Sequence, residues 1–324
     1  LKALEEEFRS TRVELVYQDT SWWISLRDIG LRLDVDRMVF LAMRAGREGN
    51  FVTRWAARRR MKTAGYEVPL LLSVDRELLR RRVSEFGQNL IVPPRDAGFV
   101  IRPGDRVEIV PHAEGRDVDI EQLHRAIQQA LMNGTGTPRV PLYLVAVMPR
   151  HTTQDVLAMG ITGLLASYTT SFDPTLVNRA YNISVAAAAL DGLLVPPGQE
   201  VSFNKIVGPR SQEAGYKDAL VIQDDNFVPG IGGGVCQVSS TLYNAVLLAN
   251  LKITERANHS LPVAYVPLGR DATVAYGAID LKFVNNTPSY IYIRSFVRGS
   301  RVTIKVYGNT RYKRRVEIRT RTLE

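Results

Sequence analysis

The chain has 324 residues, a single cysteine and a formal net charge of +9, with 45% hydrophobic and 23% charged residues. This is globular composition with room for two domains. One cysteine excludes an intramolecular disulfide and any cysteine-rich zinc site, and no stretch approaches the roughly 20 apolar residues of a membrane span.

The first residues, with Lys2, Glu5, Glu6 and Glu7, are charged and lack an initiating Met, which reads as a mature or trimmed end that a signal or anchor can precede. Val13–Tyr17 and Trp22–Leu26 then form a candidate hairpin around Gln18–Ser21. Successive strand residues face opposite ways, so of Trp22 and Trp23 one is expected to pack inside and the other is free to line a sugar-binding face. Gly30–Asp36 leads into an apolar helical run ending at Gly46, and Gly115–Glu121 leads into a second ending at Gly134. The two copies form a weak internal repeat, the second with its own hairpin, Gly98–Ile101 and Val107–Val110. Asp34, Asp75 and Asp119 stand where helix N-caps are wanted.

Positive charge attracts nucleic acid, acidic lipid or anionic wall polymers. Arg80, Arg81 and Arg82, however, flank an apolar face made by Val74, Leu78, Leu79, Val83 and Phe86. They read as a solvated helix face, and Arg58, Arg59 and Arg60 as a similar one. No zinc finger, RNP-like or helix-turn-helix signature is present, so nucleic acid is not an expected partner.

A boundary is expected between Pro149 and Gly163, after a strand Val140–Met148 and a short connector Thr152–Asp155. The second half begins with a strand at Ala166–Phe172 and an alanine-rich helix at Asn178–Leu190. It ends in strands at Leu281–Val284, Ser289–Ser295 and Arg301–Tyr307, followed by a basic tail from Arg311.

The most informative segment runs from Pro229 to Ser240. Gly232, Gly233 and Gly234 permit backbone angles and close approaches that side chains forbid. The apolar period of Val238, Leu242, Ala245, Val246 and Ala249 then sets Cys236 at a helix N-terminus. Free N–H groups and the helix dipole there favour a thiolate and can hold an oxyanion. The opposing reading is a buried structural cysteine. His259 is the default base, because His112, His124 and His151 lie in the first half or its linker. The orienting carboxylate is Asp271 or Asp280. Arg270 pairs with Asp271 or binds a substrate carboxylate bidentately.

Several long motifs of this half occur together: Val201–Arg210, Gly215–Lys217, Val228–Asn244, Asn258–Ser260 and Val266–Tyr276. Over about residues 166–308 the chain strongly resembles the VanW family, and the first half resembles, less sharply, the peptidoglycan-binding domain that often precedes VanW domains. The resemblance implies work on the cell envelope outside the membrane, with membrane attachment only through an anchor absent from this chain. Some members of the family look to be L,D-transpeptidases. The family's cysteine falls on Cys236 and its histidine on His259.

The expected fold is α+β in two domains: residues 1–155 with repeated hairpin–helix units that bind peptidoglycan, and residues 156–310 as a mixed α+β VanW domain with a cysteine at a helix N-terminus. A basic tail, 311–324, follows. The expected catalytic residues are Cys236, His259 and Asp271. Arg270, Gly232, Gly233, Gly234, Gln237, Ser239 and Ser240 are expected to bind substrate, and neither metal nor organic cofactor is required. The expected activity is 3–3 cross-linking of peptidoglycan stem peptides through a Cys236 acyl-enzyme. Three alternatives stand beside it: a cysteine-dependent wall peptidase or amidase, a non-enzymatic wall-binding module, and an accessory protein of glycopeptide resistance.

Overall fold

The computed structural model describes residues 2–65, 67–133, 137–223 and 226–321. The fold is mixed α+β, and the chain divides into two compact units, residues 1–96 with 112–150 and residues 97–111 with 151–324.

In the first unit, strand Arg12–Tyr17 lies between the antiparallel strand Thr20–Ser25 and the parallel strand Arg139–Pro141. The turn at Gln18–Asp19 is tighter than the sequence suggests. Gln18 adopts a left-handed conformation (φ 53°), which lets a two-residue connection close the hairpin. Helices Arg76–Phe86 and Ile120–Asn133 bury Leu79, Val83, Leu123 and Ile127 in the same apolar core as Val13, Leu15 and Ile24. The aspartates act as caps: Asp34 accepts from the Arg37 N–H, Asp75 from those of Glu77 and Leu78, and Asp119 from that of Gln122. Trp22 stacks on Phe86 at 5.1 Å, while Trp23 is half exposed. The single strand expected at Val140–Met148 is two short ones, Arg139–Pro141 and Leu144–Val147, with different partners.

The second hairpin of the apparent repeat, Gly98–Arg102 with Arg106–Val110, lies in the second unit. Its turn residue Asp105 accepts hydrogen bonds from Lys305 Nζ and the Tyr307 hydroxyl, each at 2.6 Å. Phe99 meets Tyr292 edge to face at 4.8 Å. These specific contacts outweigh the sequence similarity that grouped the hairpin with the first half. The connector expected at Thr152–Asp155 opens a short helix, Thr153–Ala158, with a capping box between Thr152 and Asp155.

The second unit is built on an antiparallel sheet of strands Gly163–Ser171, Arg301–Gly308, Ile291–Arg298 and Leu193–Val195, in that order. Helices Val177–Leu190 and Val235–Leu248 join the sheet in one core, where Ile183, Ala186, Val238, Leu242 and Ala245 are fully buried beside Ile293, Val302 and Ile304. Burial of each larger aliphatic side chain contributes about 1.5–3 kcal/mol. The helix Val235–Leu248 is therefore anchored along its length, and its N-terminus has a fixed position. A hairpin that the sequence does not announce, Asp218–Gln223 with Asn226–Ile231, immediately precedes the glycine run.

Candidate active site

Each glycine before Cys236 meets a different neighbour. A Cβ on Gly234, the N-cap in a left-handed conformation (φ 105°), would come within 3.0 Å of the Arg179 side chain and main chain and of Ile183. A Cβ on Gly232 (φ 84°) would reach Arg210 at 2.8 Å, and one on Gly233 would strike the Leu220 carbonyl oxygen at 2.5 Å. The expectation that these glycines leave room for a substrate backbone therefore needs correction. They line the cavity, but the space a Cβ would take is filled by the protein's own arginines and hairpin.

Cys236 sits half-buried in the first turn of the helix, its thiol 3.5 Å from the Val274 carbonyl oxygen and 3.8 Å from Thr273 Oγ1. The His259 imidazole lines the same cavity and stands near enough to bias the thiol's ionisation. One carboxylate oxygen of Asp271 accepts from the His259 main-chain N–H at 2.6 Å and holds Nδ1 of its ring at 2.7 Å. The other accepts from Arg256 Nη2 at 3.1 Å, and Arg256 Nε donates to the Asp271 carbonyl oxygen. With Nδ1 committed to Asp271, Nε2 is the nitrogen left for the thiol. Cys236, His259 and Asp271 thus stand in the order that a nucleophile, base and orienter would take, and Arg256 holds the carboxylate from behind.

The electrostatics follow from that arrangement. Burial opposes ionisation of the thiol, but the His259 contact, with smaller contributions from the Val274 main chain and Thr273, outweighs it and lowers the Cys236 pKa. For His259, burial favours the neutral ring, and Cys236 and Asp271 together reverse this and raise its pKa. Burial raises the Asp271 carboxyl, and the His259 N–H and ring more than offset it, leaving the pKa below the usual carboxylate value. All three shifts favour a thiolate–imidazolium pair.

The other expected site residues separate. Asp280 does not orient His259: Ser202 Oγ and the N–H groups of Asn204 (2.9 Å) and Leu281 (2.8 Å) occupy its oxygens. The Gln237 side chain is engaged within the protein, donating to Thr170 Oγ1 at 3.0 Å and the Ser171 carbonyl at 2.8 Å and accepting from Arg179 at 2.7 Å. Ser239 and Ser240 are fully buried. Their hydroxyls donate to the Ala272 and Cys236 carbonyls at 2.6 and 2.8 Å, and Ser240 Oγ also accepts from the Ala272 N–H. The substrate-binding role expected of them gives way to one of splicing the helix to the segment carrying Asp271 and Thr273. Arg270 donates to Asn244 Oδ1 at 2.7 Å and lies over the Tyr168 ring, away from the residues that line the cavity. It neither pairs with Asp271 nor faces the thiol.

The thiol opens into a cavity of about 680 Å³. Its wall includes Arg179, Arg210, Tyr265 and Tyr276, none of which the sequence singles out as functional, together with Leu220 and Ile231 of the hairpin. Arg210 ends the Val201–Arg210 motif, and Arg256 stands three residues before His259. A place within a motif for Arg210, and just before one for Arg256, was the only signal.

The family model described as VanW like protein matches residues 178–307, and the one described as "Putative peptidoglycan binding domain" matches residues 22–138. The uncharacterized protein YoaR of Bacillus subtilis (strain 168) is 35% identical over 243 residues, 73% of this chain and 76% of YoaR. The chain belongs to the VanW family. The vancomycin B-type resistance protein VanW of Enterococcus faecalis (strain ATCC 700802 / V583) is 35% identical over 129 residues, 38% of this chain and 47% of that protein. No solved structure matches significantly. Cys236, His259, Asp271 and Arg256 all fall within the VanW match. The peptidoglycan-binding match makes peptidoglycan the partner of this VanW-family chain and the cell wall its setting. Among the described residues no helix is long and apolar enough to cross a membrane.

Proposed function

We propose that this protein is a cysteine-dependent acyltransferase of the cell wall, an L,D-transpeptidase that forms 3–3 cross-links. The observation that carries the reading is the single Asp271 oxygen that fixes both the main chain and the ring of His259, in the cavity that Cys236 also lines. Structural cysteines have no use for an oriented imidazole; nucleophilic ones require it.

In the first step the Cys236 thiolate attacks the carbonyl carbon of the third stem residue. A carbon–sulfur bond forms, and the carbonyl oxygen becomes an oxyanion. The N–H groups of Val235 and Gln237 are already committed to the Gly232 and Gly234 carbonyls, which leaves those of Cys236 and of the preceding Gly233 and Gly234 as candidate main-chain donors for that oxyanion. The tetrahedral centre collapses, the amide bond to the terminal residue breaks, and the His259 imidazolium gives its proton to the departing amine. A thioester and a neutral imidazole remain. A side-chain amine of a neighbouring stem then attacks the thioester, His259 takes its proton, and the thiolate leaves as the new amide forms.

On this reading the catalytic domain spans residues 156–310 and works outside the membrane, with residues 1–155 holding it to the wall. Intact-mass analysis after incubation with a tetrapeptide-stem muropeptide tests the reaction class. The expected result is an adduct on Cys236 heavier by the acyl tripeptide stem, absent from Cys236→Ala and consumed when an amine acceptor is added. Release of cleaved stems with no cross-link despite acceptor would make the enzyme a peptidase. No adduct and no turnover would leave a wall-binding module.

A further inference from the structure

The cavity beside Cys236 is lined by two arginines that the acyl-transfer steps above do not use. Arg179, on the helix Val177–Leu190, is held by a single side-chain acceptor, Gln237 Oε1 at 2.7 Å, and Gln237 is itself fixed by Thr170 and Ser171. Arg210 donates from Nη1 to the Gly208 carbonyl at 3.1 Å, while its Nη2 is buried without a hydrogen-bond partner. Among the described residues no salt bridge reaches either arginine. Aromatic faces stand where carboxylates would be: Tyr265 for Arg179 at 6.0 Å, and Phe203 and Tyr276 for Arg210 at 5.5 and 6.0 Å.

A guanidinium withdrawn from water without a counter-ion is costly. The fold nonetheless accommodates two with no carboxylate in ion-pair contact, Cys236 acting on both and Asp280 on Arg210 only from a distance, and two glycines packed on their stems, Gly232 against Arg210 and Gly234 against Arg179, belong to the loop that presents the nucleophile. Arrangements of this kind suit a ligand that brings the missing negative charge. Arginine's planar fork matches a carboxylate with two parallel hydrogen bonds, and a half-closed cavity strengthens that pairing relative to open water.

We propose that Arg179 and Arg210 form a carboxylate-binding subsite that selects peptide donors with a free carboxylate flanking the scissile amide. The proposal rests on the acyl-transfer reading for the identity of that amide, but its binding consequence stands without chemistry. Burial pushes both guanidinium pKa values down, yet arginine's intrinsic value lies so high that both remain charged. Two carboxylates of a stem peptide have the required chemistry: the carboxyl terminus of the leaving residue, and the side-chain carboxylate of the residue that becomes the acyl group.

The test is binding to Cys236→Ala protein, measured by calorimetry, with three synthetic tetrapeptide stems: the free acid, the carboxyl-terminal amide, and the side-chain amide of the third residue. At least one amide is expected to bind about 10- to 100-fold more weakly than the free acid, and which one does so identifies the carboxylate. Introducing Arg210→Gln or Arg179→Gln should abolish that difference by weakening the free acid alone, whereas Arg210→Lys should retain part of it. Equal affinity for all three stems would overturn the proposal, and this comparison needs no arginine variant to fold. A preference for the free acid that survives intact in both Gln variants would overturn it as well. Because no turnover is read, a chain that binds acids selectively but never forms a thioester would refute the transpeptidase reading and leave this subsite in place.

Discussion

Both units of the molecule are rich in arginine, and they use it in opposite ways. In the first, Arg58, Arg59 and Arg60 lie on a helix, Phe51–Ala64, with no buried residue, and Arg80 and Arg81 stand exposed on Arg76–Phe86. Arg80 reaches Asp117 at 3.1 Å with half of the arginine side chain in solvent. Pairs of this type contribute little to stability and are weakened by salt. In the second unit Arg179, Arg210 and Arg256 are half-buried over aromatic rings. One braces Asp271, and the other two line the cavity. Net charge therefore says where the chain can adhere, whereas burial says which charges do specific work. The +9 of the whole sequence blends the two.

The sharpest way to break this contrast is at the nucleophile. Cys236→Ala should lower transpeptidation by at least about 10³-fold while leaving the fold intact, since a smaller side chain is tolerated at that half-buried helix position. Retained cross-linking, read by chromatography of digested muropeptides, would sink the reading of the second unit as catalytic. Next comes Asp271→Asn, expected to cut the rate on the order of 10²–10³-fold by losing control of the His259 tautomer. Asp271→Ala should also cost roughly 2–4 kcal/mol of stability, because it leaves Arg256 without its carboxylate. Denaturant unfolding of the pair separates the two effects.

The pH dependence sharpens the same point. The lowered Cys236 pKa and raised His259 pKa place the rise of thiol alkylation below the pH of a free cysteine, about 8.5, and His259→Ala should shift that rise upward. An unshifted iodoacetamide profile in the variant would dissolve the ion pair. Linkage gives the matching signs for stability. The contribution of Asp271, whose folded pKa is depressed, is present above its unfolded value and lost as pH falls through the folded one. That of His259, whose folded pKa is raised, is complete below its unfolded value and fades as pH climbs through the folded one.

Ser240→Ala should cost about 1–2 kcal/mol, because it leaves the buried Ala272 N–H without an acceptor, with a much smaller effect on the affinity for a stem peptide. A large loss of affinity in a fully stable variant would restore the substrate-binding role. The smallest effect belongs to the first unit. Arg80→Gln with Arg81→Gln should change stability by less than about 0.5 kcal/mol. Peptidoglycan pull-down by the full chain should weaken modestly and only at low salt.

Much of the candidate site was legible in the sequence, because its signals are local. A glycine run meeting an amphipathic period fixes Cys236 at a helix start, and only one histidine lies in the second half. Asp271 was one of two candidates, and what decided between them was tertiary: Asp280 spends its oxygens on Ser202, Asn204 and Leu281. Ser239 and Ser240 misled for a related reason. Polar residues beside a nucleophile suggest substrate contact, yet at three and four positions along the helix they turn toward Ala272. Arg179 had no local signal and Arg210 only its place at the end of a motif, since what sets them apart is the absence of a carboxylate in contact, and a sequence does not display absences in space. The hairpin Gly98–Val110 was legible as a hairpin but not as part of the second unit, because its assignment rests on Asp105, Lys305 and Tyr307, residues two hundred positions apart in the chain.

The site draws on Arg179 near the start of the second half, Cys236 in its middle, and His259 and Thr273 beyond. No single segment holds both the thiol and the group that ionises it. An unfolded or partly folded chain accordingly carries an ordinary, weakly nucleophilic thiol, and reactivity appears only when the sheet, both helices and the loop bearing Asp271 have come together. On the acyl-transfer reading, folding is then the activation step. The protein carries its own safety catch, and a chain caught mid-way through synthesis, transport or degradation has no potent nucleophile to misdirect.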